Sequence, residues 1–90
     1  MLEFPNLVAT ADFLLSFANK KFGASDRRAF LRAFALLNRS ETHPSLRIHQ
    51  LHGDKAGLWS ASASSSLRIE FDRMPDGRKV LRECTRHYDK

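Results

Sequence analysis

The chain has a single cysteine, Cys84, in 90 residues, so no internal disulfide can form. A lone thiol fits a reducing compartment, and the expected localisation is cytoplasmic. Long apolar runs are also missing. None approaches the roughly 18 to 20 residues that a membrane-spanning helix needs, so no membrane partner is expected. The opening Met1-Leu2-Glu3-Phe4-Pro5 lacks the basic patch and apolar block of a secretory leader. Glycine is scarce, with four residues, and none forms a phosphate-cradling loop. Repeats and low-complexity linkers are absent, so residues 1–90 read as one domain. His43, His49 and His52, spaced by six and three residues, match no zinc pattern; neither a metal nor another cofactor is expected. No Ser-His-Asp order suggests a hydrolase triad.

What the chain does have is positive charge, unevenly placed. The net charge is +5 and the sequence pI about 10.0. Residues 1–26 sum to −1, residues 27–66 to +4 and residues 67–90 to +2, and all four histidines lie beyond residue 42. A basic domain of this size usually meets phosphate, and any phosphate chemistry belongs in the second half. Seven phenylalanines and 42% hydrophobic residues can build a modest core.

Hydrophobic periodicity gives the elements. Leu2 to Val8, interrupted by Pro5, reads as an edge strand or extended arm. Thr10 can cap a helix from Ala11 to about Lys21, with Phe13, Leu14 and Phe17 as its apolar stripe and Gly23 ending it. Ser25 can cap a second helix to about Asn38. Its buried face is Ala29, Phe30, Ala33, Phe34, Leu36 and Leu37, which leaves Arg27, Arg28, Arg32 and Arg39 in solvent. The short connection predicts an antiparallel helix pair. After Pro44 the period becomes two, over Leu46-Arg47-Ile48-His49. Leu51 breaks the phase, so the strand ends or bulges near Gln50. His52 to Gly57 is a turn, and Leu58 to Ala63 a strand with Trp59, Ala61 and Ala63 on the core side. Leu67, Ile69 and Phe71 alternate with Arg68, Glu70 and Asp72. Met74-Pro75-Asp76-Gly77 turns a hairpin into a last strand from Lys79 to about Thr85. The class is α+β: two N-terminal helices on one face of a mainly antiparallel sheet of four to five strands. The other face carries Arg68 and its neighbours.

Four stretches, in this order and at this length, resemble the RelE/ParE toxin superfamily, closest to its RelE- and YafQ-type side. They are Phe-Ala-Leu-Leu-Asn (34–38) followed by Thr-His-Pro-Ser-Leu-Arg-Ile-His-Gln-Leu (42–51), then Gly57-Leu58-Trp59-Ser60, then Leu67-Arg68-Ile69-Glu70-Phe71, and Thr85-Arg86-His87. The resemblance implies the toxin of a type II toxin–antitoxin system, with a cognate antitoxin protein as partner. It implies metal-independent mRNA cleavage in the ribosomal A site, inhibiting translation, with the 2′-hydroxyl attacking the adjacent phosphate. Two alternatives share the fold: a ParE-like inhibitor of DNA gyrase, and a degenerate relative that binds without cutting.

The resemblance also assigns residues. Arg68 stands where these toxins place a strand arginine on the scissile phosphate, a task that suits a guanidinium fork. The plainer role for Arg68 is pairing with Glu70 or Glu83. His87 stands where the group carries a general acid, and His49 where YafQ-like members carry a histidine used in cleavage; His49 is taken as base and His87 as acid. Arg47, Lys55, Arg82 and Arg86 are expected phosphate contacts, His52 is a turn residue that could touch RNA, and Tyr88 could stack on a base. Two departures stand out. Glu83 occupies a position where YafQ-like members tend to have arginine, and the chain stops at Lys90, before the aromatic that the branch carries beyond its terminal histidine. Trp59 is expected in the core, and the Ser60 to Ser66 cluster is explained by alternation and a tight turn.

Overall fold

The structure, a computed structural model, describes residues 4–40 and 42–87, so the expectation for Tyr88 lies outside the described residues. The chain order is β1 (Leu7–Ala9), α1 (Ala11–Phe17), α2 (Ala24–Arg39), β2 (His49–Gln50), β3 (Trp59–Ser62), β4 (Leu67–Arg73) and β5 (Lys79–Arg86). Single 3₁₀ turns lie at Pro44–Leu46 and Gly53–Lys55. The five strands form one sheet in the order β1-β5-β4-β3-β2. The neighbours β2-β3, β3-β4 and β4-β5 are antiparallel; β1 runs parallel to β5 along the edge.

Strand β4 organises the fold. Leu67, Ile69 and Phe71 turn to the helices and are buried. They join Phe22, Phe30, Phe34 and Leu37 in one apolar cluster. Their cross-strand partners on that face include Ala61, opposite Ile69, and Cys84 on the other side. Trp59 packs at the edge of the same cluster, with the Arg73 guanidinium 4.3 Å from its ring centroid. Thus Trp59 is a core residue, as its alternation predicts.

The first strand is shorter than the Leu2–Val8 reading and begins after a turn containing Pro5, whose ring cannot donate to a ladder. Helix α1 is also shorter, because Ala18 closes it and its N–H turns back to Leu14 and Ser16. Thr10 is its cap, as expected, and accepts the Phe13 N–H at 3.0 Å. Of the expected stripe, Phe13 is buried and Phe17 half-buried, but Leu14 is 56% exposed. The reason is that α1 lies along β5 rather than flat on the sheet. Where β1 ends, its side chains take over the free edge of β5. Thr10 Oγ1 donates to the Leu81 carbonyl at 2.9 Å, and Ser16 Oγ accepts the Cys84 N–H at 2.9 Å. The Cys84 N–H is satisfied by this bond, and the Leu81 carbonyl accepts the Thr10 N–H at 3.4 Å as well as the hydroxyl.

Gly23, not Ser25, caps α2, and Asp26 accepts the Gly23 N–H at 3.0 Å. Arg27 is half-buried, against the solvated reading. Its Nε and Nη2 donate to the Phe17 and Asn19 carbonyls and tie the loop between the helices. The two helices meet through phenylalanines, with Phe13 against Phe34 and Phe17 against Phe30.

The largest departure is after Pro44. Leu46 to Ile48 is not a strand; only His49–Gln50 pairs, as β2, and it ends at Gln50 as read. Pro44 opens a 3₁₀ turn capped by His43, which accepts the Ser45 N–H, and Leu46 is buried from that turn. Alternation cannot separate a strand from one tight turn plus one extended residue. The only bulge in the described ladders lies in β5, where Arg82 is the extra residue between Leu81 and Glu83. The hairpin at 74–77 is as read, with Gly77 at φ 91°.

Burial pushes the Cys84 thiol up from 9.0 to about 12, chiefly by desolvation, with the Ser16 hydrogen bond acting the other way. The unfolded thiol therefore ionises before the folded one, and stability should fall between pH 9 and 12 for this reason. Denaturation midpoints across that window should drop in the wild type and drop less in Cys84→Ala, and thiol reagents should label native Cys84 far more slowly than the unfolded chain.

Candidate functional site

The face of β4 opposite the helices is built in rows. Side chains directly across a ladder share a face, so His49, Ser60, Glu70 and Glu83 form one row through β2, β3, β4 and β5. Ser62, Arg68 and Thr85 form the next. Beyond them the His87 N–H donates to the Ser66 carbonyl at 2.6 Å, which continues the ladder one step and puts His87 on the same side.

These rows border one hollow of about 400 Å³. His49, Arg68 and His87 all line it, together with Lys55, Ser60, Glu70, Thr85 and Arg86. Three residues proposed from widely separated stretches of sequence thus meet at one place. The side chains of His49, Lys55, Arg68 and His87 stand against one carboxylate there.

Each group is held by identifiable bonds. The His49 ring nitrogen Nδ1 lies 2.9 Å from the Arg47 carbonyl. A carbonyl only accepts, so Nδ1 carries the hydrogen and Nε2 keeps a lone pair in the neutral ring. Arg47 makes this possible through a left-handed backbone, φ 46° and ψ 48°, which turns its carbonyl to the ring. Arg68 pairs with neither Glu70 nor Glu83. Its Nη1 donates to the Ser64 and Leu67 carbonyls at 2.8 and 3.0 Å, and Nη2 to the Ser65 carbonyl at 3.2 Å. The guanidinium is fixed by the tight turn before β4, and Nε–H and one Nη2–H are left without a partner among the described residues. The turn is a serine turn, in which Ser64 Oγ accepts the Ser66 and Leu67 N–H groups.

Glu70 is the residue that sequence reasoning undervalued. It is buried in the floor of the hollow, opposite the like-charged Glu83, and pairs with Lys55 at 2.7 Å. The hydrogen bond to Glu70 raises the Lys55 pKa above 10.5, partly offset by desolvation. The alternation of Arg68, Glu70 and Asp72 put Glu70 on the right face. The partner, fifteen residues earlier in a loop, left no local signal.

The remaining expected contacts divide. Lys55 is in the hollow but tied to Glu70. Arg86 borders the hollow, yet its register opposite Leu67 turns it to the helix side. There it pairs with Asp26 at 2.5 Å and lies over the Phe22 ring. Its side chain ties β5 to α2. Arg82 sits on the β5 bulge, 3.4 Å from Asp72, in an adjoining hollow of about 600 Å³. That larger hollow is bordered by Asp12, Glu70, Asp72 and Glu83 and so repels a phosphate. Arg47 lies in a third hollow beside Arg68, and His52 is an exposed turn residue outside all three. Among the described residues no group of His, Cys, Asp and Glu is placed to hold a metal ion, and no helix is long and apolar enough to cross a membrane.

The sequence matches no family model and no curated protein. Solved structures do match, over almost the whole chain. A YoeB/ParE toxin from Agrobacterium tumefaciens superposes with a TM-score of 0.70 at 20% identity, covering 91% of this chain and 98% of that one. The RelBE2 toxin–antitoxin complex from Mycobacterium tuberculosis gives 0.70 at 19% identity, covering 92% and 91%. YafQ from Escherichia coli gives 0.63 at 12% identity, covering 89% and 90%. The fold is therefore that of the RelE/YoeB-like toxins.

The Asp26 carboxylate both caps α2 and holds Arg86, whose side chain is 23% exposed. Asp26→Ala should cost about 2 kcal/mol, and Arg86→Met about 1 kcal/mol. Thermal melts should show Tm falling by roughly 5 °C per kcal/mol, with the double variant losing less than the sum.

Proposed function

We propose that this chain, which has the fold of the RelE/YoeB-like toxins, is the toxin of a type II toxin–antitoxin system and an endoribonuclease that cuts mRNA in the ribosomal A site. The observation that carries the reading is the meeting of His49, Arg68 and His87 around one basic hollow. The same reading proposes a cognate antitoxin as partner, as the RelBE2 neighbour is a toxin–antitoxin complex, and a cytoplasmic location.

The chemistry is transesterification. The 2′-oxygen attacks the adjacent phosphorus, the bond to the 5′-oxygen breaks, and a 2′,3′-cyclic phosphate and a 5′-hydroxyl result. His49 Nε2 takes the 2′-hydroxyl proton, for which its fixed tautomer is suited. His87 gives a proton to the departing 5′-oxygen. Arg68 offers its remaining N–H groups to the phosphate as charge builds, and its turn-held guanidinium reorganises little. Proton exchange with solvent resets both imidazoles. Lys55 and Glu70 shape the floor of the hollow, and Glu70 keeps the Lys55 ammonium charged. Arg86 acts as a positioning residue for the end of β5, from which His87 follows.

The test is mRNA cleavage on programmed ribosomes, with naked RNA as control. The wild type should cut on ribosomes. Arg68→Ala should slow the reaction about 10²- to 10³-fold, and His49→Ala or His87→Ala about 10²- to 10⁴-fold, with melting curves near wild type. A folded wild type that cuts neither substrate would remove the nuclease reading. Inhibition of gyrase supercoiling by that same protein would put the ParE-like reading in its place.

A further inference from the structure

The hollow proposed for cleavage has a neighbour, and Arg68 borders both. The neighbour measures about 330 Å³ and is lined by Ser45, Arg47, Ser62, Ser64, Ser65 and Arg68. Its side chains are hydroxyls and guanidiniums, with no carboxylate among the lining residues. That is a surface of hydrogen-bond donors with two fixed positive charges.

Most of these donors remain available. The guanidinium of Arg47 makes no hydrogen bond or ion pair with the described residues, and the hydroxyls of Ser62 and Ser65 have no partner among them. Ser64 Oγ accepts two backbone N–H groups, so its own hydrogen can be donated outward. Arg47 is also the one described non-glycine residue with positive φ, at 46°. A bulky residue in that conformation is strained, and such strain gathers at functional positions. The strained bend serves two hollows, because its carbonyl fixes His49 and its side chain borders the serines.

We propose that this serine–arginine hollow holds the RNA backbone phosphate next to the one being cut. The inference rests on the nuclease reading above. Spacing supports it. Ser60 lies in the first hollow and Ser62 in the second, two residues apart on one face of β3, about 7 Å along the strand. That is the scale of one nucleotide step, so an RNA strand laid along β3 passes from one hollow to the other past Arg68. Neutral hydroxyls and guanidiniums contact phosphate oxygens without reading bases, so the site fixes register rather than sequence. An acidic protein segment offers similar charge, but the Arg68 wall shared with the scission hollow favours the RNA strand.

Binding of a short single-stranded RNA, made uncleavable by a 2′-deoxy substitution at the scissile nucleotide, tests this by fluorescence anisotropy over a range of salt. Companion RNAs carry an uncharged methylphosphonate at each linkage in turn. Arg47→Asn is the central variant, because asparagine tolerates the left-handed backbone; Arg47→Lys keeps the charge, and melting curves confirm folding. Arg47→Asn should weaken binding about tenfold and lower the slope of log affinity against log salt by about 0.7. Arg47→Lys should stay within about threefold of wild type. One methylphosphonate position, adjacent to the scissile linkage, should weaken the wild type but not weaken Arg47→Asn further.

The inference is overturned if Arg47→Asn binds like the wild type, or if every methylphosphonate affects both proteins equally. In those cases loss of RNA binding in Arg68→Ala would leave the cleavage hollow standing. A wild type that binds no RNA overturns the inference, while cleavage on programmed ribosomes decides the nuclease reading separately. Loss of binding to an oligo-glutamate peptide by Arg47→Asn, with RNA binding intact, would assign the hollow to an acidic protein segment and overturn the inference.

Discussion

Strand β4 can bury Leu67, Ile69 and Phe71 only by turning Arg68, Glu70 and Asp72 the other way. The period of two in an extended chain is absolute, and a slip of one residue would put an arginine and a glutamate among phenylalanines. The rest of the molecule follows from that constraint. Helices α1 and α2 cover the apolar side, and the polar side is left open between two edges of the sheet. The neighbours of β4 pair in register with it, so Ser60, Ser62, Glu83 and Thr85 are carried onto the open side with it.

Electrostatics then shapes what the open side can bind. Glu70 is the carboxylate in the floor of the central hollow, and Lys55 neutralises it. Without that pair Glu70 would face Glu83 directly across the ladder, and like charges placed so destabilise the sheet. The other acidic groups of this side, Asp72 and Glu83, fall in the adjoining hollow with Asp12. The face therefore divides along β4 into an acidic end and a basic end. Arg68 marks the basic end, held by the carbonyls of the Ser64–Leu67 turn rather than by a carboxylate. A guanidinium oriented by neutral carbonyls keeps its full charge for an anion. One paired with Glu70 would not.

Much of this was legible in the sequence, and the limits have physical causes. Alternation in Leu67–Asp72 placed Arg68 correctly, and the hairpin after Met74 was written in its Pro-Asp-Gly. The core role of Trp59 followed from its shared face with Ala61. Thr10 was readable as a cap because a hydroxyl before an apolar stripe has few other local uses. Short pieces were less legible. Leu46 to His49 alternates like a strand over four residues, and the 3₁₀ turn that ends at Leu46 with the left-handed Arg47 breaks the pattern. Helix α1 ends at Phe17 because its partner is the edge of β5, a tertiary contact with no local signature. Lys55–Glu70 and Arg86–Asp26 join residues fifteen and sixty positions apart, so neither could be read from spacing. Arg86 shows the cost of reading charge without register: one step from His87 along the strand reverses its face.

The central claim is that RNA meets the side of β4 that carries Arg68. Amide chemical-shift perturbation on adding the uncleavable single-stranded RNA tests it residue by residue. The account predicts the largest changes at Ser60, Ser62, Ser64 to Arg68, Thr85 and His87, with small changes at Ala29, Phe30 and Ala33 on the covered side. Changes concentrated instead on β1, α1 and α2, around Leu7, Leu14 and Leu31, would place the ligand on the opposite side of the molecule and contradict it.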